Sequence, residues 1–232
     1  MEPNWRALPA IAKAVTGFAK IYHRYRIRGL ETLPPKGPAL LVFYHGLVPL
    51  DFYYFGLQVY QETGRLPRAL GDRWLFKTPG MAQVARTLGA VEGAPGAALQ
   101  LLRAGELVGV APGGVREAIS GPRHDYKLMW KDRKGFAKVA LDAGVPVIPG
   151  FTENVESLYR APLADRPFFR HLYEVTRLPL VPIIGIGPMP FPAKLTTWLG
   201  EPIHAMPGET PDALAGRTRG AIENLIRRHQ LR

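Results

Sequence analysis

The stretch Ala39-Leu-Leu-Val-Phe-Tyr-His-Gly-Leu-Val-Pro-Leu-Asp51 contains an apolar run that ends in a histidine, with an aspartate six positions further on. The run from Ala39 to Tyr44 has no charge and no helical spacing, and it follows the turn-like Pro-Pro-Lys-Gly-Pro segment at 34–38. Such a run, bounded by turn residues, predicts a short buried strand. His45 then lies at the carboxyl end of that strand, which is the edge where α/β sheets place reactive groups.

Two interpretations of His45 and Asp51 are open from these residues alone. An imidazole takes up and releases a proton near neutral pH, and a carboxylate on its other ring nitrogen fixes the tautomer, so the two residues would form a catalytic dyad. Alternatively, His45 is a structural residue at a strand end. In that case Pro49 and Asp51 only begin a helix, where proline and a negative charge are both favourable.

Strands and helices alternate along the rest of the chain, which predicts an α/β fold with a mostly parallel central sheet flanked by helices. Further strands are expected at 25–28, 68–71, 90–92, 107–111, 145–151, 180–186 and 194–199, and helices at 49–62, 81–88, 95–103, 135–143, 165–176 and 211–229. The chain has 232 residues, 47% of them hydrophobic, and no segment that reads as a linker. We therefore expect a single domain.

Two later segments, Ala111-Pro-Gly-Gly-Val-Arg-Glu117 and Val145-Pro-Val-Ile-Pro149, each stand at the end of an apolar segment. With His45 and Asp51 they resemble, in order, the His-x4-Asp, Pro-Glu-Gly-Thr-Arg and Val-Pro-Ile-Val-Pro motifs of the glycerolipid acyltransferase superfamily, which includes the lysophosphatidic acid acyltransferases. The resemblance extends from about residue 25 to residue 203. It is closest to the branch of transmembrane protein 68 and diacylglycerol acyltransferase type 2.

The resemblance implies an O-acyltransferase that moves a fatty acyl group from a thioester donor, acyl-CoA or acyl carrier protein, to a glycerolipid hydroxyl. It implies no metal and no cofactor besides this co-substrate, and no covalent enzyme intermediate. His45 would deprotonate the acceptor hydroxyl, and Asp51 would orient His45. The residues expected to bind substrate are Gly113, Gly114, Arg116 and Glu117. Backbone amides near the two glycines are candidates to stabilise the oxyanion.

Three departures from the family pattern affect these expectations. Five residues instead of four separate His45 from Asp51, so the loop between them must be reshaped. Gly113 stands where the motif has a glutamate, which leaves open whether Glu117 takes over that role. Glu92-Gly93 stands where phosphate-using relatives usually end in an arginine. A neutral acceptor such as mono- or diacylglycerol is therefore expected, with lysophosphatidate as the alternative.

The net charge of +11, from 30 basic and 19 acidic residues, predicts an anionic partner. Zinc-finger spacing and RNA-recognition signatures are absent from the sequence, so nucleic acid is not expected. Membrane lipids and the phosphates of a CoA donor then remain. The densest basic cluster, which would meet such phosphates or simply face solvent, consists of Lys127, Lys131, Arg133, Lys134 and Lys138.

Residues 1–24 form the predicted amphipathic, basic helix, ahead of a catalytic domain at 25–232. Its apolar face consists of Trp5, Leu8, Ile11, Val15, Phe18 and Tyr22. Such a helix lies in a membrane interface or packs on its own domain, and both interpretations are open. The longest uncharged run, 178–193, is broken by five prolines and predicts no spanning helix. Without cysteines or a signal peptide, the expected location is the cytoplasmic surface of a membrane.

Two other classes of function compete with acyl transfer as interpretations of the sequence. A serine hydrolase is disfavoured because the only serines, Ser120 and Ser157, lie outside any Gly-x-Ser-x-Gly motif. A non-catalytic lipid-binding module at the membrane surface would explain the charge and the N-terminal helix. It would leave the three ordered motifs unexplained.

Overall fold

The computed structural model describes residues 6–77, 80–94, 96–114, 117–118, 126–164, 166–169, 171 and 181–230. The strands are β1 Arg26–Arg28, β2 Ala39–Phe43, β3 Arg68–Gly71, β4 Val91–Glu92, β5 Leu107–Val110, β6 Val147–Glu153 and β7 Thr196–Leu199. The helices are α1 Leu8–Tyr22, α2 Leu50–Thr63, α3 Arg73–Lys77, α4 Met81–Thr87, α5 Ala97–Arg103, α6 Gly135–Ala143 and α7 Pro211–His229. Short 3-10 helices occupy Leu30–Thr32 and Val155–Ser157.

One seven-stranded sheet runs through the molecule in the order β1-β7-β6-β2-β5-β3-β4. Every neighbouring pair is parallel except β6 and β7, which are antiparallel. The five residues of β2 are all buried, because β5 and β6 pair with β2 on its two sides and helices cover the sheet. The predicted α/β fold with a mostly parallel central sheet is confirmed.

The helices lie in two layers. The connection from β2 to β3 runs in one direction across the sheet, and the connection from β5 to β6 runs in the other. Since such crossovers are right-handed, α2 and α6 lie on opposite faces. Helix α1 packs on α2, whereas α7 packs on α6 and β6. The two layers separate the N-terminal helix from the C-terminal helix.

Helix α1 packs on its own domain through one face. The buried residues of this helix are Leu8, Ala12, Thr16 and Ala19, and the Thr16 hydroxyl bonds Gln61 Oε1 of α2 at 2.8 Å. Phe18 and Ile21 remain 36% and 85% exposed. Trp5 and the rest of residues 1–5 lie outside the described residues. Within the described part of the chain, no helix combines the length and the apolarity needed to cross a membrane.

The largest difference from the predicted elements is the strand expected at 180–186. Residues 181–183 are irregular, and only isolated bridges occur, between Arg160 and Ile184 and between Ile186 and Met189. Prolines at 182 and 188 remove backbone donors that a ladder needs, so a strand cannot propagate there. Within the helix predicted at 165–176, residue 166 is a bend, residues 167–169 and 171 are helical, and the others lie outside the described residues. Helix α3 was not predicted.

Candidate active site

The candidate site lies where the central strands end. His45 follows β2, Gly113 and Gly114 follow β5, and Thr152 stands near the end of β6. These three strands are parallel neighbours, so their carboxyl ends share one edge of the sheet. Asp51 reaches the same edge from the first turn of α2. The structure therefore brings residues of two sequence motifs to one place, beside the end of the strand that begins with the third motif.

The imidazole of His45 has one ring nitrogen engaged. Nδ1 lies 2.6 Å from the carbonyl oxygen of Gly46. A carbonyl only accepts, so Nδ1 carries the proton of the neutral ring and Nε2 keeps its lone pair. Burial lowers the pKa of His45, although the bond to Gly46 raises it. The ring is consequently neutral at pH 7, with Nε2 available as a base.

Glu117 holds the backbone that carries His45. Its Oε2 accepts the backbone N–H of His45 at 3.0 Å, and its Oε1 accepts that of Met129 at 2.8 Å. The residue is 1% exposed, and burial raises its pKa to about 7, while the two backbone donors, Arg133 and Arg219 lower it. The carboxyl group that contacts His45 is therefore that of Glu117, and it bonds the backbone of His45 rather than the ring.

The glycine at 113 is explained by the same contact. A Cβ on Gly113 would lie 1.8 Å from the Cδ of Glu117, well inside any real contact. Gly113 and Glu117 therefore form a matched pair, in which the missing side chain of one makes room for the carboxylate of the other. The carboxyl group of Glu117 thus fills the space beside Gly113, and its taking over the role of the motif's glutamate stays a prediction.

The loop after β5 is closed by its own hydrogen bonds. The N–H of Gly114, at φ +52°, donates to the carbonyl of Ala111 at 3.0 Å. Arg133 Nη1 donates to the carbonyls of Pro112 and Gly113 at 2.8 and 3.0 Å. The Gly114 amide thus donates inside the turn in this structure, and the stabilisation of an oxyanion by this loop stays a prediction. Arg116, the expected substrate-binding arginine, lies outside the described residues.

Asp51 is buried at 4% exposure and is held by groups other than His45. Burial raises its pKa to about 6, while the Thr152 hydroxyl and the Phe52 backbone N–H lower it. Among the described residues, no hydrogen bond joins Asp51 to His45, whose Nδ1 faces Gly46 instead. The orienting contact expected from the motif is absent from this arrangement of the loop.

A chain of buried hydroxyls leads away from Asp51. Thr152 Oγ1 lies 2.9 Å from Thr197 Oγ1 on β7, which lies 2.7 Å from the hydroxyl of Tyr25. Because a carboxylate only accepts, the proton donation runs from Tyr25 through both threonines to Asp51. Sequence analysis missed this chain, since its members come from three separate segments. The available signal was the pair of adjacent threonines, Thr196 and Thr197, in an otherwise apolar strand.

Glu156 is a further buried carboxyl that sequence analysis missed. It is 6% exposed, and its Oε1 accepts the hydroxyl of Tyr44 at 2.5 Å. Burial raises its pKa to about 7, with additional contributions from the charges of Asp51 and Glu117. Its Oε2 has no hydrogen-bond partner in the described part of the chain. Three carboxyls therefore lie close enough at this edge to influence one another.

The aromatic residues of α2 pack in the interior of the molecule. Tyr54 and Phe55 are 1% and 0% exposed and belong to the core. Phe52 packs against β5, where a Cβ on Gly109 would lie 2.1 Å from its ring. Among the described residues, no group of three metal-ligating side chains converges. The titratable side chains gathered at this edge suit acid–base chemistry.

Comparison with known proteins agrees with this chemistry. The family model described as Acyltransferase matches residues 24–152, more than half of the chain. Proteins of Bos taurus and Homo sapiens, both called "DGAT1/2-independent enzyme synthesizing storage lipids", are each 41% identical over 224 residues, or 97% of the chain. The chain spans 65% of the length of the bovine relative and 67% of that of the human one.

Among solved structures, the 1-acyl-sn-glycerophosphate (LPA) acyltransferase PlsC of Thermotoga maritima superposes with a TM-score of 0.65 at 18% identity. The superposition covers 100% of this chain and 85% of the other, and at this identity it shows a shared fold. The family match includes His45, Asp51 and Glu117. By the extent of that match and the identity of the relatives, the chain belongs to the Acyltransferase family.

Proposed function

We propose that this protein transfers a fatty acyl group from a thioester donor to a hydroxyl of a glycerolipid, with His45 as the general base. The supporting observation is the neutral imidazole of His45 at the carboxyl edge of the sheet, whose Nε2 forms no hydrogen bond with the described residues. Nε2 takes the proton of the acceptor hydroxyl while its oxygen attacks the thioester carbonyl. The C–S bond then breaks, and the imidazolium returns the proton to the leaving thiolate.

In this proposal Asp51 acts on His45 as the motif implies. Its pKa of about 6 keeps most of it ionised at pH 7, so its charge favours the imidazolium that forms in the reaction. A direct bond requires that His45 Nδ1 exchange the Gly46 carbonyl for the carboxylate. Asp51→Asn should therefore lower the rate while retaining more activity than His45→Ala.

The proposed acceptor is a neutral glycerolipid, mono- or diacylglycerol. Glu92 stands on β4 and forms an exposed ion pair with Arg73, with 3.5 Å between Oε1 and Nε. The negative charge of Glu92 would repel a phosphate monoester. The ion pair also neutralises Arg73, the neighbouring cation that could otherwise attract the phosphate. The name of the animal relatives, an enzyme synthesizing storage lipids, favours the same choice. Lysophosphatidate is the alternative acceptor, for which Arg116 would be the binding cation.

Membrane lipids are the proposed partners of an exposed apolar surface beside the site. Strand β1 runs antiparallel to β2, because it is parallel to β7 and β7 is antiparallel to β6. The C-terminal end of α1, which leads into β1, therefore lies at the edge that carries His45. The apolar surface consists of Phe18, Ile21, Ile184, Ile186 and Met189, each at least 36% exposed. Apolar surface of this kind marks a contact site.

The experiment that tests the function is a product assay. Purified protein is given acyl-CoA together with diacylglycerol or lysophosphatidate at equal surface concentration, and free thiol and acylated lipid are both measured. Stoichiometric release of thiol and formation of triacylglycerol are expected. Thiol release without acylated lipid would indicate a hydrolase, and neither product would favour the non-catalytic lipid-binding module. A preference for lysophosphatidate would show that the assignment of Glu92 is wrong.

A further inference from the structure

An open pocket of about 620 Å³ lies between α7 and the segment 126–131. Four cations line it, Lys127 and Lys131 from the segment and Arg219 and Arg227 from the helix. Among the described residues that line it, Glu223 is the one carboxylate, and it forms an ion pair with Arg219, with 3.0 Å between Oε1 and Nε. The pocket is therefore strongly positive, and its cations come from two parts of the chain that are far apart in sequence.

The pocket contains only part of the predicted basic cluster, Lys127 and Lys131, and adds Arg219 and Arg227 from α7. Arg133 is engaged with the carbonyls of Pro112 and Gly113, and Lys134 pairs with Asp212 at 2.7 Å. Lys127, Lys131 and Arg227 form no ion pair within the described part of the chain. Arg219 is fixed, because its Nη2 donates to the Leu128 carbonyl at 2.7 Å. Arg219 is thus fixed in the pocket wall by its hydrogen bonds. Lys127, Lys131 and Arg227 line the same pocket without an ion pair to any described residue.

The pocket adjoins the candidate active site. Met129, which lines the pocket, donates its backbone N–H to Oε1 of Glu117, while Oε2 accepts from His45. Tyr126, also in the lining, packs its ring on Tyr44 with 5.4 Å between centroids, and Tyr44 immediately precedes His45. The pocket and His45 are therefore connected through one side chain, because the carboxyl group of Glu117 accepts hydrogen bonds from the backbone of Met129 and of His45.

We propose that this pocket binds the phosphate groups of the acyl donor, with a nucleotide-linked thioester of the CoA type as the donor. The inference rests on the proposed function and adds a binding site to it. Lysines and arginines bind phosphate by charge-assisted hydrogen bonds, and the apolar wall formed by Leu128, Met129 and Ile226 accepts the uncharged part of the ligand. His45 then lies between the donor and the lipid acceptor.

A lipid headgroup is the other source of such phosphates, and the fold favours the donor. The pocket lies in the α7 layer, whereas Phe18 and Ile21 lie on α1, in the layer on the opposite face of the sheet. A bilayer that contacts the apolar surface would approach the site from the α1 side. The pocket remains open from the other side to a ligand dissolved in water.

The test uses adenosine 3′,5′-bisphosphate, which carries phosphates but no acyl chain and no thiol. Its binding to the full chain is measured by calorimetry for the wild type and for Lys127→Glu/Arg227→Glu. The matched control is Lys36→Glu/Arg103→Glu, which makes the same charge change at exposed positions outside the pocket lining. Two reversals replace attraction by repulsion, so we expect at least a tenfold weaker Kd in the first variant and less than a twofold change in the control.

A second arm measures sedimentation with vesicles of phosphatidylcholine containing phosphatidylglycerol. The proposal expects the pocket variant and the control to bind these vesicles equally. Unchanged nucleotide affinity in the pocket variant would overturn the proposal. Absence of nucleotide binding in the wild type, with vesicle binding lost in the pocket variant, would overturn it in favour of a headgroup site. Since neither arm involves turnover, failure of the acyl-transfer assay remains distinguishable from failure of this site.

Discussion

Replacing Gly113 by alanine should disrupt the support of His45 through one specific clash. The new Cβ would lie 1.8, 2.1 and 2.3 Å from the Cδ, Oε1 and Cγ atoms of Glu117, and these are its three nearest neighbours. The carboxylate must then move by more than 1 Å. Such a movement breaks its bonds to the backbone N–H groups of His45 and Met129.

The loss of stability comes from the clash and from two backbone N–H groups, those of His45 and Met129, that lose their acceptor. Overpacking a filled site costs about 1–3 kcal/mol, and a buried donor left unsatisfied costs about 1–3 kcal/mol. Because partial relaxation relieves some of this, we expect Gly113→Ala to lower the free energy of unfolding by about 2–5 kcal/mol. Displacement of the histidine backbone should also lower kcat/KM by roughly a hundredfold.

The assay is a double-mutant cycle with Glu117→Ala. The three atoms that meet the new Cβ are absent in that background, so Gly113→Ala should there cost less than about 1 kcal/mol. Urea unfolding at fixed pH gives the free energies, and initial rates give kcat/KM. The double variant should be no less active than Glu117→Ala alone.

Additivity would refute this account of the pair. If Gly113→Ala costs as much with Glu117 removed as with it present, the clash lies elsewhere. The glycine would then be required for its backbone or for a substrate. Gly114→Ala serves as the comparison, because a Cβ there would lie 3.3 Å from Arg133 Nη1 and would not meet Glu117, so its cost should not depend on Glu117.

Three further outcomes are expected. Thr152→Val removes the hydroxyl that lowers the pKa of Asp51 and should shift the acidic limb of the kcat/KM profile upward by about one pH unit. The pKa of Glu156 rises from 4.5 to about 7 on folding, so the free energy of unfolding falls as pH rises between these two values. Glu156→Gln should remove this pH dependence. Urea unfolding at pH 8 should then give a free energy of unfolding about 1–3 kcal/mol higher than that of the wild type. Ile21→Glu with Ile186→Glu should abolish sedimentation with anionic vesicles, whereas the melting temperature should hardly change because both residues are exposed.

Elements whose signals are local could be predicted from the sequence. Helix α7 was predicted at its observed bounds, because Thr210 caps its N-terminus, Pro211 begins it and basic residues fill its last turn. Strand β2 was predicted because a continuous apolar run bounded by turn residues fits a central strand. In both cases the decisive residues are near neighbours in sequence.

Contacts between distant segments could not be predicted. Glu117 lies 72 residues from His45, and the pairing became visible only when β2 and β5 were placed side by side. The partner of His45 Nδ1 depends on the path of the loop, which the His-x5-Asp spacing alone does not determine. Similarly, the amphipathic stripe of α1 fits both a membrane and a helix of the same domain. The packing of Leu8 and Ala19 on the domain shows that one face serves the fold.

The most direct test of the central claim is the rate of acyl transfer by His45→Ala, measured as acylated lipid formed from acyl-CoA and diacylglycerol. His204→Ala, at an exposed histidine, is the matched control, and urea unfolding verifies that both variants are folded. Loss of a general base predicts a rate about 10²–10⁴-fold lower for His45→Ala and an unchanged rate for the control. A folded His45→Ala protein that forms product at the wild-type rate would contradict the proposed mechanism.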